Sequence, residues 1–210
     1  MKNSRDIPLE HGGYYHIYNR GNNGEQLFYT PENYQHFLRL YEKYIEPIAD
    51  TFAWCLMGNH FHLLVRVKEK GEINLNSLPN PVRVSNPDRV IRIKPPHRYF
   101  SDLFNSYCQA INKQQKRTGS LFESPFHRIP IDSDKYFRNL VVYIHQNPVH
   151  HGFADDFKDY PWSSYGSLLS EKNTRVRRKE VLGWFDGKEN FIFSHSGPAD
   201  TDSISQFIVE

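Results

Sequence analysis

At 210 residues, 38% of them hydrophobic, the chain can bury a sizeable core, and much of that core must come from its 15 Phe, 13 Tyr and 3 Trp. A net charge of +2 does not by itself announce a nucleic-acid partner, and the cysteines, Cys55 and Cys108, exclude a disulfide framework or a multi-thiolate zinc site. No apolar run approaches the roughly 18 residues of a membrane span, and Met1 to Glu10 lacks a signal peptide's apolar core, so a reducing, cytoplasmic setting is expected.

Tyr14 to Arg20 reads as a strand ending in the turn-rich Gly21-Asn22-Asn23-Gly24. Thr30-Pro31 supplies an N-cap and a first-turn proline, and Tyr34, Phe37, Leu38, Tyr41 and Ile45 recur at helical spacing in the segment to Asp50. Phe52 to Met57 is a second strand, folded back by Gly58-Asn59 onto a third that runs from His60 to Val67. Lys68 to His97, rich in Pro, Asn and Arg, reads as an insertion with a short strand at Arg89 to Ile93.

A second helix is predicted from Tyr99 to Arg117, with the stripe Phe100, Leu103, Phe104, Tyr107 and Ile111, closed by Gly119. Arg128 to Ile131 follows as a fourth short strand. A third helix is capped by Asp132-Ser133, carries Phe137, Leu140, Val141 and Ile144 as its stripe, and is expected to end near Pro148. This order suggests an α+β fold, a split βαβ sandwich with helices laid on an antiparallel sheet. Residues 1–170 are expected as one domain with its insertion at 68–97. Residues 171–210 are expected as a helical extension with the basic run Arg175-Val176-Arg177-Arg178-Lys179 and a tail, after Gly197, expected to be mobile.

Basic charge gathers in the middle of the chain. Arg83, Arg89, Arg92, Lys94 and Arg98 face the single acid Asp88, and Lys113, Lys116, Arg117 and Arg128 face Glu123. Such runs suit a phosphate backbone, with Arg177 and Arg178 as a second contact, although each alone also fits a solvated positive face.

The stretch His60-Phe61-His62-Leu63-Leu64 carries the sharpest chemical signal. Alternation along a strand puts His60, His62, Leu64 and Arg66 on one side and Phe61, Leu63, Val65 and Val67 on the other. Two neighbouring imidazoles can each offer a nitrogen to one metal ion if a third ligand arrives, and they equally fit an ordinary half-exposed sheet face. Tyr143 and Asn147 stand one turn apart on the third helix, so a helix crossing the His face would bring an amide oxygen and a phenol to the pair. Tyr107 is the competing tyrosine, but it lies on a core stripe with no ligand four residues on, and Asn147 before Pro148 also fits a helix end.

Four ordered motifs resemble the HUH single-tyrosine transposases, and within them the REP-associated tyrosine transposases. They are Gly58-Asn59-His60-Phe61-His62-Leu63-Leu64, Arg117-Thr118-Gly119-Ser120-Leu121-Phe122, the run from Tyr143 to Gly152, and Tyr160-Pro161-Trp162-Ser163-Ser164-Tyr165. The resemblance covers Tyr14 to Tyr165. It implies a ferredoxin-like catalytic domain that cuts and rejoins single-stranded DNA, often beside a hairpin, through a 5′-phosphotyrosine. By matching motif it makes Tyr143 the nucleophile, His60 and His62 the metal-binding pair, Asn147 the polar ligand, and Mg2+ or Mn2+ the ion. Two further readings stay open. One is a non-catalytic nucleic-acid-binding module on the same fold. The other is a replication-initiator-type nickase, for which Tyr136 would be the nearest second tyrosine. Whether the protein is a monomer or a homodimer is left open by the sequence.

Overall fold

The structure, a computed structural model, describes residues 4–79 and 93–199. The short strand expected at Arg89, the side chains of Arg83, Arg89 and Arg92, and the tail from Asp200 lie outside the described residues. Four strands, β1 (Tyr14–Arg20), β2 (Ala49–Met57), β3 (His60–Val67) and β4 (His127–Ile131), form one sheet in the order β2-β3-β1-β4. Every neighbouring pair is antiparallel. With α1 (Pro31–Tyr44) between β1 and β2 and α2 (Pro96–Gln114) between β3 and β4, this is the ferredoxin-like arrangement, α+β.

Local chemistry explains most element boundaries. Thr30 caps α1, Pro31 occupies its first turn, and the Asn33 side chain accepts the backbone N–H groups of Tyr29 and Thr30 at 3.0 and 3.3 Å. The helix stops at Tyr44, short of Asp50, because Pro47 disfavours helical backbone at Glu46 and removes a donor, and β2 then begins at Ala49. The second helix starts at Pro96, inside the expected insertion, and ends at Gln114. Lys116, at φ 52°, makes the left-handed turn beyond it well before Gly119.

The third helix, α3 (Asp134–His150), is capped by Ser133 and runs through Pro148 instead of ending there. Residues Leu140 to Pro148 are all buried, so tertiary packing holds the last turn helical against the proline's preference.

Both faces of the sheet are covered. On one side Phe61, Leu63, Val65 and Val67 pack with Phe37, Tyr41, Phe100, Leu103 and Tyr107 of α1 and α2. On the other, Leu64, Cys55 and Met57 pack with Leu140, Val141 and Ile144 of α3. A bulge in β2 between Thr51 and Ala53 lets consecutive Phe52 and Ala53 both serve this second core.

The C-terminal segment completes the second core through α4 (Tyr165–Leu169), α5 (Arg178–Trp184) and α6 (Lys188–Ser194), with Leu168, Val181, Phe185 and Phe191 buried. It also covers the β2 edge: the Leu56 N–H donates to the Trp162 carbonyl and the Arg177 N–H to the Thr51 carbonyl. Pro198 and Ala199 are held in place beyond Gly197, since Ala199 is buried and donates its N–H to Gln146 Oε1 at 3.0 Å. Among the described residues no helix is long and apolar enough to cross a membrane.

A buried polar chain fastens this segment to α3. His195 Nδ1 lies 2.7 Å from the Phe191 carbonyl, an obligatory acceptor, so Nδ1 carries the proton and Nε2 accepts from His145 Nδ1 at 2.9 Å. His145 Nε2 then accepts from Ser164 Oγ at 2.8 Å, and that oxygen accepts the Trp54 N–H at 2.9 Å. Every bond uses one proton, so both imidazoles must be neutral. Burial accordingly pushes His195 down to about 4 and His145 well below the usual histidine range.

A folded-state pKa lowered in this way means that the unfolded chain binds more protons, so stability is present above about pH 6.5 and falls as pH drops toward 4. For His195 alone, the loss between pH 7 and pH 5 comes to about 2 kcal/mol. Urea unfolding at the two pH values should therefore differ less in His195→Phe than in the wild type by about that amount. An unchanged pH slope in the variant would contradict the neutral chain.

Candidate metal and nucleophile site

The sheet register decides which side chains meet. Opposite each other on one face stand Arg20 and His60, Tyr18 and His62, and His16 and Leu64. On the next strand His127 stacks on Tyr18 with ring centroids 4.5 Å apart, and Tyr18 lies over His62 at 5.5 Å. Helix α3 closes over this row. Tyr143 sets its ring edge-on to His62 at 5.5 Å and to His16 at 6.5 Å, and Asn147 follows one turn later, fully buried.

The proton inventory at this site is unusual. His60 Nδ1 lies 2.7 Å from Asn59 Oδ1, an acceptor, so Nδ1 is protonated and Nε2 keeps its lone pair. That Nε2 is buried without a hydrogen-bond partner, and so is Asn147 Oδ1, while the Asn147 amide donates back to the Tyr143 carbonyl at 3.2 Å. Asn147 is close enough to His60 to favour its charged form, yet burial dominates and pushes His60 down to about 3, with His151 and Arg20 acting in the same direction. Neither of these two buried acceptor atoms meets a donor in hydrogen-bonding geometry. Each unsatisfied atom costs about 1–3 kcal/mol, and a cation would satisfy both.

His62 contributes a second imidazole. Its Nδ1 is 2.9 Å from His16 Nε2, and the tautomer in which His62 donates leaves His62 Nε2 with a lone pair. Burial lowers His62 well below the usual range and His16 to about 3, so the pair is neutral at neutral pH, the form in which histidine ligates a metal. Among the described residues no group of three His, Cys, Asp or Glu side chains gathers as a metal site.

Other expected contacts fall elsewhere. Arg128 is buried on the opposite face, over the Phe126 ring at 4.6 Å with Nη2 donating to the Arg5 carbonyl. Arg178 donates to the Ser167 and Lys172 carbonyls, and Arg177 pairs with Asp50 at 2.9 Å. Lys94 pairs with Asp102 at 3.0 Å, and Arg117 with Glu25. Of the described basic residues expected to meet DNA, Arg98, Lys113, Lys116 and, despite its ion pair, Arg177 are exposed.

The structure adds residues that sequence reasoning missed. His16, Arg20 and His151 surround the pair, His151 with its ring 4.6 Å from His60. Nothing local marks His16 or Arg20, because their relation to the His strand depends on long-range register.

A ferredoxin-like sheet whose His-x-His strand lies under a helix carrying Tyr143 and Asn147 is the class that fold and site define. No family model matches the chain. Among curated proteins, a Haemophilus influenzae protein, itself named only as a candidate REP-associated tyrosine transposase, is 29% identical over 118 residues, 55% of this chain. The matched region spans 58% of that relative's length. Among solved structures, a REP-associated tyrosine transposase bound to a REP hairpin shares the fold with a TM-score of 0.55 at 18% identity, over 81% of this chain and 87% of that one. The chain is therefore similar to REP-associated tyrosine transposases in sequence and in fold, as its motifs implied.

Removing the buried amide tests the proton inventory without any ligand. Asn147→Leu deletes an unsatisfied acceptor, so its metal-free form should unfold at the same urea concentration as wild type or higher. A loss above about 2 kcal/mol would mean that the amide is structural.

Proposed function

We propose that this protein cleaves and rejoins single-stranded DNA beside a hairpin, with Tyr143 as the nucleophile and His60, His62 and Asn147 as ligands of a divalent cation. The observation that carries the reading is the meeting of Tyr143 with His62 beside two unpartnered lone pairs, His60 Nε2 and Asn147 Oδ1. The likeness to REP-associated tyrosine transposases supports it, and the solved relative is bound to a REP hairpin.

In the proposed step the Tyr143 phenol oxygen bonds to phosphorus and the bond from phosphorus to the 3′ oxygen breaks. The phenol gives up a proton and the departing 3′ oxygen takes one, leaving a 5′-phosphotyrosine and a 3′-hydroxyl. Attack by a 3′-hydroxyl on the phosphotyrosine reverses the exchange, so bond energy is stored and no external energy source is needed. A bound divalent cation supplies charge stabilisation at the phosphate oxygens. This chain's part is to keep the imidazoles neutral by burial, to orient them through Asn59 and His16, and to hold Tyr143 edge-on to them from a helix packed in the second core.

A denaturing gel is the test: wild type with a hairpin flanked by single-stranded arms should give a covalent protein–DNA adduct, and Tyr143→Phe should give none. An adduct that survives the substitution would refute Tyr143, and binding without any adduct in wild type would favour a binding module. Chelation should abolish the adduct. Because two of the three protein ligands are imidazoles, Mn2+ should restore it at lower concentration than Mg2+. Adduct formation indifferent to chelator would remove the metal from the mechanism.

A further inference from the structure

We propose that Phe153 is a positioning residue, the platform on which the nucleobase beside the reacting phosphate stacks; this rests on the strand-transfer reading above. Access points to it. Tyr143 is 3% exposed, His62 6% and Asn147 fully buried, so His60, which is partly exposed, is the side from which a phosphate can approach. The sheet and the loops leave two features beside His60. Arg20, 42% exposed at its side chain and directly across the strand pair, suits a backbone phosphate. Phe153, 39% exposed, stands on the other side, over the turn between β2 and β3.

Phe153 is held there by its own backbone. Gly152, at φ 69°, reverses the chain after α3, and the Phe153 N–H donates to the Pro148 carbonyl at 2.7 Å. The ring rests on Gly58, where an added Cβ would come within 2.9 Å of Phe153 Cε1. That turn is itself fixed, since the Gly58 carbonyl accepts the N–H groups of Leu27 and Phe28 at 2.7 and 3.0 Å. Among the described residues the ring that pairs with Phe153 is His60, at 6.1 Å between centroids, and Phe153 keeps 39% of its surface exposed beside the site. An exposed phenylalanine fixed in this way has no packing role that explains its position.

What lies beyond the ring favours a base over a backbone. A cavity of about 450 Å³, large enough for one nucleobase, is lined by Tyr34, Phe153, Tyr160 and Trp162 together with Asp155, Asp156 and Asp159. Its carboxylates repel phosphate and accept from base amino and imino groups. Tyr34 and Trp162 already stack on each other at 4.5 Å, which leaves Phe153 as the ring to receive the incoming base.

The test uses the full chain and a hairpin oligonucleotide with unpaired arms, carrying 2-aminopurine singly at each arm position in turn. Wild type should quench one position strongly. Phe153→Ala should lose that quench, raise Kd about tenfold and raise KM more than it lowers kcat, and Phe153→Trp should restore all three. A Phe153→Ala protein that keeps the quench and a Kd within about twofold of wild type would overturn the proposal, as would Phe153→Trp behaving like Phe153→Ala. The quench and Kd readouts need no cleavage. Quenching lost in Phe153→Ala when wild type forms no adduct would sink the strand-transfer reading and keep the stacking role, whereas a normal adduct with unchanged quenching would do the reverse.

Discussion

Everything in this protein that concerns function depends on helix α3 lying across the histidine face of the sheet. That contact buries two acceptor atoms, His60 Nε2 and Asn147 Oδ1, neither of which meets a donor in hydrogen-bonding geometry. Such an arrangement is unfavourable by itself, and the surrounding structure is organised to enforce it. The second core buries Leu140, Val141 and Ile144 against Leu64, Cys55 and Met57, so the helix cannot roll its polar residues out to water. Gln146, the neighbour of Asn147, grips the chain beyond α6 through the carbonyls of His195 and Gly197. The C-terminal segment thus acts as the clasp that keeps Tyr143 over His62.

Two histidine systems packed against the same helix show how burial and hydrogen bonding separate roles. His145 and His195 have their protons assigned by an unbroken chain from the Trp54 amide to the Phe191 carbonyl, so every lone pair there is used. His60 has one nitrogen used and one left over. Desolvation keeps all of these rings neutral, but only the second arrangement leaves a nitrogen for something else to bind. The first fastens the fold, and the second belongs to the proposed site.

Much of this could be read in the sequence where the signal is local. Alternation along residues 60–67 gave both faces of β3, and Thr30-Pro31 gave the start of α1. The four-residue spacing of Tyr143 and Asn147 gave their shared side of α3. What escaped depends on distant pairing or on competition between preferences. His16 and Arg20 join the site only through the β1–β3 register. Pro148 suggested a helix end, but burial of the preceding turn outweighed it. Arg128 and Arg178 read as free positive charge, whereas folding commits them to backbone carbonyls that need donors.

His60, His62 and Asn147 are proposed to form one cation site under Tyr143. Electron spin-echo spectroscopy of the Mn2+-loaded protein addresses it most directly, because directly bound imidazole nitrogens modulate the echo of the metal. Two coupled histidine nitrogens are expected in the wild type, one in His60→Ala and one in His62→Ala. A spectrum from water-ligated Mn2+ alone, or one left unchanged by both substitutions, would contradict it.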